Sequence, residues 1–296
     1  MSILIPLALV AVFGLAFGSF LNVCISRIPE GDSVVVPGSR CPRCGHAIRW
    51  RDNIPVLSYL LLGGRCRDCK QSISRIYPLV EILTSAMLAL AYWRYRLSPE
   101  FIKAALVLML LIVLTFTDLR TRRLPHKITI FGIAAGLILS LFVPVDARPL
   151  GWLLARWGFA ASGPLLSLAG SLGGALMGGG LFYAVGEIFY FVGRRRKEYL
   201  EKKYPGEEFQ AKEYLGFGDV MLMLMIGTFF GIPLTFETIL LGSLGGTLVA
   251  LPLAVADSRF KDYAWPYGTF LGAAGIFVSL GGDLLLERYL HWTGLG

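Results

Sequence analysis

Residues 101–118 read Phe-Ile-Lys-Ala-Ala-Leu-Val-Leu-Met-Leu-Leu-Ile-Val-Leu-Thr-Phe-Thr-Asp. Lys103 stands near the start, Asp118 closes the run, and nearly everything between is apolar. Such a run matches the roughly 20 residues that an α-helix needs to cross a bilayer. It does not stand alone. Hydropathy divides the chain into eight such runs, near 3–26, 76–95, 101–118, 128–145, 164–192, 217–232, 236–256 and 266–286, the sixth of them short. The expected fold class is therefore an all-α polytopic membrane protein of about eight transmembrane helices.

Composition agrees. Of 296 residues, 55% are hydrophobic and 16% charged, whereas an ordinary soluble domain carries about 25% charged residues. Met1–Pro6 lacks a basic n-region, so the first run reads as a retained span rather than a cleaved signal peptide. The net charge of +8 resembles a nucleic-acid signal until its placement is considered. The connections after spans 1, 3, 5 and 7 hold 22 of the 28 lysines and arginines. The positive-inside rule puts those four connections in the cytoplasm and both termini outside. Topology thus explains the basic residues, and nucleic acid drops out as a partner.

That assignment places two carboxylates without any catalytic assumption. Asp118 ends span 3 at its cytoplasmic connection, and Asp219 begins span 6 at the same face, within Gly216-Phe217-Gly218-Asp219. Ionisable groups at membrane depth are costly unless they do something together. Two carboxylates sharing a proton can activate water and polarise a scissile carbonyl, the chemistry of an aspartyl protease. Gly216 and Gly218 suit a substrate pocket, because without a Cβ they allow a sharp turn and a close backbone approach. Plainer readings stay open: Asp219 capping its helix, and Asp118 pairing with Arg120 or Arg122 at the interface.

The connection after span 1 carries Cys41-Pro-Arg-Cys44 and Cys66-Arg-Asp-Cys69. Paired Cys-x-x-Cys knuckles bring four thiolates within tetrahedral reach of one structural Zn2+. Arg43, Arg65, Arg67 and Lys70 are basic neighbours that favour the thiolate form. The alternative, two disulfides, needs an oxidising compartment, which the cytoplasmic assignment disfavours. His46 is a possible substitute ligand, and Cys24, inside span 1, reads as an inert core thiol. The expected domains are 1–26, the first transmembrane helix; 27–75, a small cytoplasmic four-cysteine zinc insertion; and 76–296, the transmembrane catalytic part. The glycines at 173, 174, 178, 179 and 180 read as a helix-packing surface. Residues 194–212 read as a charged, partly helical connector.

These motifs resemble the prepilin peptidase (type IV leader peptidase) family. The resemblance runs through Phe17-Gly18-Ser19-Phe20-Leu21-Asn22-Val23, Asn53-Ile54-Pro55-Val56-Leu57-Ser58-Tyr59, Gly64-Arg65-Cys66, Tyr77-Pro78-Leu79-Val80-Glu81, Asp118 to Leu124-Pro125, Gly216–Asp219 and Pro266-Tyr267-Gly268. It implies a bacterial inner-membrane enzyme that cleaves the basic leader of type IV prepilins or type II secretion pseudopilins at the cytoplasmic face. It also implies N-methylation of the new terminus from S-adenosylmethionine. By motif match Asp118 and Asp219 become the protease pair, and the four cysteines the zinc ligands of a domain linked to methylation. Glu81 is a candidate for methyl transfer, its plain alternative being an ion pair with Arg75 or another loop arginine. Where relatives often carry a lysine, this chain has Met221, and the loops at 146–163 and 193–215 are longer than usual. Rival readings are a cleavage-only peptidase, a proton-coupled transporter using the aspartates, and a zinc-bearing assembly scaffold.

Overall fold

The computed structural model describes residues 3–157, 163–204, 216–257, 263 and 265–294. Among these are nine α-helices: α1 (Leu4–Arg27), α2 (Leu57–Leu61), α3 (Ile76–Tyr95), α4 (Pro99–Thr121), α5 (His126–Ser140), α6 (Arg148–Arg156), α7 (Pro164–Lys203), α8 (Phe217–Ala256) and α9 (Tyr267–Thr293). They form two compact units, Met1–Pro125 with Gly272–Gly281, and His126–Leu271 with Gly282–Gly296.

In the first unit α4 is the buried helix. Its Leu108, Leu111, Ile112 and Leu114 have no exposed surface. Ser98 caps it, accepting from the Phe101 N–H, with Pro99 in the first turn, where a missing N–H costs nothing. α1 lies against α3 through small residues. A Cβ at Gly18 would stand 2.6 Å from the Glu81 Cα, and one at Gly14 2.6 Å from the Ser85 Cα. Ser85 Oγ then reaches the Ala11 carbonyl at 2.8 Å, and Asn22 Nδ2 the Tyr77 carbonyl at 3.0 Å. Arg94 and Tyr95, at the end of α3, donate to the carbonyls of Leu280 and Ser279 in α9.

In the second unit, α8 is not one straight rod. Gly231 has φ 70° and ψ −176°, a conformation essentially reserved for glycine, and Pro233 follows. A Cβ at Gly178 of α7 would lie 2.8 Å from the Met223 carbonyl oxygen and 2.9 Å from Thr235 Cγ2. Twelve residues of continuous helix would separate those two atoms by about 18 Å. At Gly174, one turn earlier, the neighbours become Gly227 and Gly231. The chain therefore reverses at Gly231, and α8 is a hairpin whose two arms both lie on α7. Six helices are individually long and apolar enough to cross a membrane, α8 counting as one, and α5 is a shorter apolar helix. Splitting α8 and adding α5 gives the eight segments expected from hydropathy.

Three boundaries move by five residues or more, one of them the end of the eighth run, which extends from 286 to Thr293. The fourth run, expected to reach 145, is helical only to Ser140, and residues 141–147 form a connection whose Asp146 carbonyl sits against Gly231. The connector after span 5 begins as more helix: α7 continues to Lys203 with Arg194–Glu198 and Lys197–Glu201 pairs at i, i+4 spacing. Residues 205–215, including Lys212, lie outside the described residues, as do 158–162 of the 146–163 loop. Four of the five clustered glycines meet α8 directly; a Cβ at Gly180 would face open space.

Candidate functional site

Three places carry chemistry. The first is the cysteine cluster. Each knuckle is a backbone turn: the Cys41 N–H donates to the His46 carbonyl and the Gly45 N–H to the Cys41 carbonyl. The second repeats the pattern, Cys66 N–H to Gln71 and Lys70 N–H to Cys66. Gly45 and Lys70 both take positive φ to close these turns. Antiparallel bridges, Arg40 with Ala47 and Arg65 with Ser72, brace the two stems.

The result is four sulfurs within 4.8 Å of one another, Cys41 and Cys69 at 3.9 Å. These are thiols, not disulfides. Four soft donors at that separation, offered from two turns, suit a tetrahedral thiophilic ion. His46 contributes its carbonyl to the first turn; the cluster itself is the four cysteines. The thiolate is helped chiefly by the main chain. Backbone N–H groups of Cys44 and Arg43 draw the Cys41 thiol down to about 7. Cys44 has a backbone donor too, the His46 N–H, but burial and the neighbouring Cys41 and Cys69 sulfurs outweigh it and push its thiol up to about 11.

The second place is the end of α4. Asp118 is 5% exposed, in the last turn, and its carbonyl accepts from Arg122, which closes the helix with φ 54°. Beside it the Thr117 hydroxyl is fully buried with no hydrogen-bond partner among the described residues. A buried hydroxyl in that condition is costly.

The third is the start of α8. Gly216 is the N-cap, extended at φ −77° and ψ 144° with no side chain to offer, and the Asp219 N–H donates to its carbonyl at 3.0 Å. Asp219 thus occupies the third helical position rather than the cap itself. Its Oδ2 lies 3.6 Å from where a Gly216 Cβ would be, so the carboxylate folds back over the glycine. There it meets the positive end of the helix dipole. The same end of the unit holds the His126 and Phe217 rings at 5.7 Å and the stacked Phe182 and Tyr267 rings at 5.9 Å. Tyr267 shares a 2.7 Å hydrogen bond with Ser243 Oγ and lies within the field of Asp219. A cleft of about 200 Å³ opens between Phe182, Ile239 and Tyr267. Sequence reading singled out Tyr267 only as part of a motif, and missed Phe182 and Ser243. Asp118 belongs to the first unit, Asp219 to the second.

Glu81 is buried, and its position differs from the plain alternative. Among the described residues no ion pair reaches it. Its Oε2 accepts the Val56 N–H at 2.7 Å, and the Ser19 side chain is a second partner. Val56 has φ 60°, rare for a β-branched residue, so the carboxylate holds a strained turn of the 27–75 segment against α1 and α3.

Comparison with known proteins gives two family matches. Residues 12–95 match the bacterial peptidase A24 N-terminal domain, and residues 105–251 the type IV leader peptidase family. Among curated relatives, a prepilin leader peptidase/N-methyltransferase of Myxococcus xanthus is 37% identical over 84% of this chain and 63% of its own length. That of Pseudomonas putida is 30% identical over 97% of this chain and 95% of its own. That of Pseudomonas aeruginosa is 29% identical over 98% and 96%. No solved structure matches.

Proposed function

This chain belongs to the type IV leader peptidase family, and on that premise we propose that it is a bifunctional membrane enzyme acting on prepilins or pseudopilins. It removes their basic leader at the cytoplasmic face of the bacterial inner membrane and methylates the exposed amine. Two observations support the reading, a buried carboxyl that ends one span and a glycine-flanked carboxylate that opens another. Asp118 stands where one basic connection begins, and Asp219 where another ends.

In the proposed mechanism, a substrate's apolar helix lies in the bilayer while its leader stays in the cytoplasm. Unwound backbone at the scissile bond approaches over Gly216 and Gly218. One carboxylate of the Asp118–Asp219 pair takes a proton from water, whose oxygen attacks the scissile carbonyl. The other carboxyl, protonated, hydrogen-bonds the carbonyl oxygen as charge develops there. Proton transfer to the leaving nitrogen then breaks the C–N bond and restores the shared proton.

Methylation needs the new terminus as a neutral amine. Its nitrogen lone pair attacks the methyl carbon of S-adenosylmethionine, S-adenosylhomocysteine leaves, and the nitrogen gives up one proton. The segment 27–75 is the proposed methylation domain, with Cys41, Cys44, Cys66 and Cys69 holding Zn2+ as a structural crosslink between the two knuckles. Glu81, fastened to Val56, is the proposed polar participant at that domain's base. The catalytic part is 76–296.

The deciding experiment incubates purified enzyme with a prepilin and S-adenosylmethionine and weighs the product. Loss of the leader mass together with a gain of one methyl supports the bifunctional reading. Leader loss alone reduces it to cleavage, and an unchanged substrate overturns it.

A further inference from the structure

The short helix α2 is built inside out for a soluble domain. Its residues at i, i+3 and i+4, Leu57, Leu60 and Leu61, are 48%, 68% and 76% exposed, while Ser58 is buried. The polar residue is the one that faces protein: Ser58 Oγ donates to the Arg51 carbonyl at 3.0 Å and accepts from the Ile54 N–H at 2.9 Å. The apolar stripe points away. A helix on a water-soluble domain presents the opposite arrangement.

The depth of α2 follows from its anchor. The Val56 N–H, immediately before α2, is bonded to Glu81 Oε2. Glu81 lies five residues beyond the first residue of α3, about 8 Å along its axis. α3 has the length and hydropathy of a span, so that depth is inside the edge of the bilayer rather than above it. Leu79 and Ile82, either side of Glu81, are themselves exposed, as is Phe20 of α1. These are surfaces that lipid covers. The flanks of α2 are basic and exposed: Arg49 and Arg51 before it, Arg65 after the Gly63-Gly64 turn, with Trp50 82% exposed among them. Exposed leucines flanked by exposed arginines and a tryptophan are the composition of an interfacial helix on an anionic leaflet.

We propose that α2 is a monotopic wedge: Leu57, Leu60 and Leu61 insert into the acyl–headgroup boundary of the same leaflet that α1 and α3 cross, and Arg49, Arg51 and Arg65 bind anionic lipid headgroups. The partner is the bilayer itself. The wedge and the Glu81–Val56 bond together hold the cysteine knuckles at headgroup level. The proposal rests on the membrane-spanning character of the chain and not on its chemistry.

The test uses the full-length enzyme in vesicles of phosphatidylethanolamine with graded phosphatidylglycerol. A small fluorescent amino acid is placed at position 61, and in a second protein at the exposed position 46 on the first knuckle. Brominated lipids report contact with the bilayer, and acrylamide, which is uncharged, reports contact with water. Position 61 is expected to be quenched several-fold more by shallow bromines than position 46, with acrylamide showing the reverse. Leader cleavage in the same vesicles is read separately, so failure of the wedge is distinguishable from failure of the proposed function. Equal lipid quenching at both positions overturns the wedge. So does acrylamide access at 61 that disappears only when a prepilin is added, because α2 would then be a protein-docking face. Lipid quenching independent of the phosphatidylglycerol fraction overturns the headgroup assignment.

Discussion

The Cys41–Cys69 segment and the α7–α8 hairpin are both tightly turned, yet they hold their shapes by opposite means. In the hairpin, main chains nearly touch: a Cβ at Gly227 would stand 2.3 Å from the Gly174 backbone, and Ser171 donates to the Thr228 carbonyl. Dispersion between backbones and a few buried hydroxyls suffices, which is how helices associate where lipid removes the hydrophobic drive. The cysteine segment has almost no core. Of its residues only Cys41 and Ser58 are buried as a whole; the rest is turns, two bridges and the bidentate Arg67–Asp52 pair. A segment with so little buried surface needs a crosslink. One region therefore depends on packing and the other on four thiolates, and perturbations should separate them.

The largest separation should come from the aspartates. Asp118→Asn and Asp219→Asn are each expected to lower leader cleavage by at least about 10³-fold, the scale on which catalytic groups act. Methylation of a substrate already lacking its leader should persist. Product mass spectrometry reads both. Retained cleavage in either variant removes that residue from the dyad.

Packing comes next. Gly174→Val is expected to destabilise the hairpin by about 3 kcal/mol or more, since the obstructing atoms are backbone. Thermal unfolding in detergent should show it, with both activities lost together at lower temperature. A variant as stable as the parent would mean that the contact between backbones is not what holds α7 to α8.

The crosslink should fail differently. Cys66→Ser, or chelation, is expected to remove about one zinc per chain and the methyl gain, leaving cleavage within a few-fold. Metal analysis finding no zinc in the parent ends that account. Acid should act in the same direction. The folded Cys41 thiol sits at about 7, below its ordinary 9.0. Its contribution to the metal-free segment is therefore present above pH 9 and lost as pH falls through 7. Cys44, raised to about 11, has the opposite sign, and its contribution is lost as pH rises through 11. Zinc must displace whatever protons remain. Uptake measured against a competing chelator should thus weaken steeply below pH 7, and a flat profile from pH 6 to 8 contradicts the thiolate assignment.

What could be read from the chain follows the range of the forces involved. Span hydropathy and Cys-x-x-Cys spacing are local patterns, and they located the helices and the cluster. The break near Gly231 was readable too, as the gap between the runs ending at 232 and starting at 236. The source of the Cys41 shift was not: basic neighbours looked responsible, but backbone N–H groups of Cys44 and Arg43 are the main cause. Nor was the Val56 contact, because it joins residues 25 apart through a positive φ that no β-branched residue advertises. The exposed leucines of α2 were not readable either, because the sequence shows residues 53–59 only as a motif.

Glu81 gives the smallest and most discriminating effect. Its carboxylate accepts an N–H that would otherwise be unpartnered near the bilayer. Glu81→Ala should therefore cost about 1–3 kcal/mol and loosen the cysteine segment from α3. Glu81→Gln keeps an acceptor oxygen in place and should restore most of that stability. If Gln also restores methylation, the residue serves as a fastening that joins the crosslinked region to α3. If the Gln variant is as stable as the parent but transfers no methyl, the charge itself is required, and Glu81 takes part in the transfer. Amide exchange at Val56, read alongside product mass, distinguishes the two outcomes, because only a fastening role makes protection of that N–H and methyl gain rise and fall together.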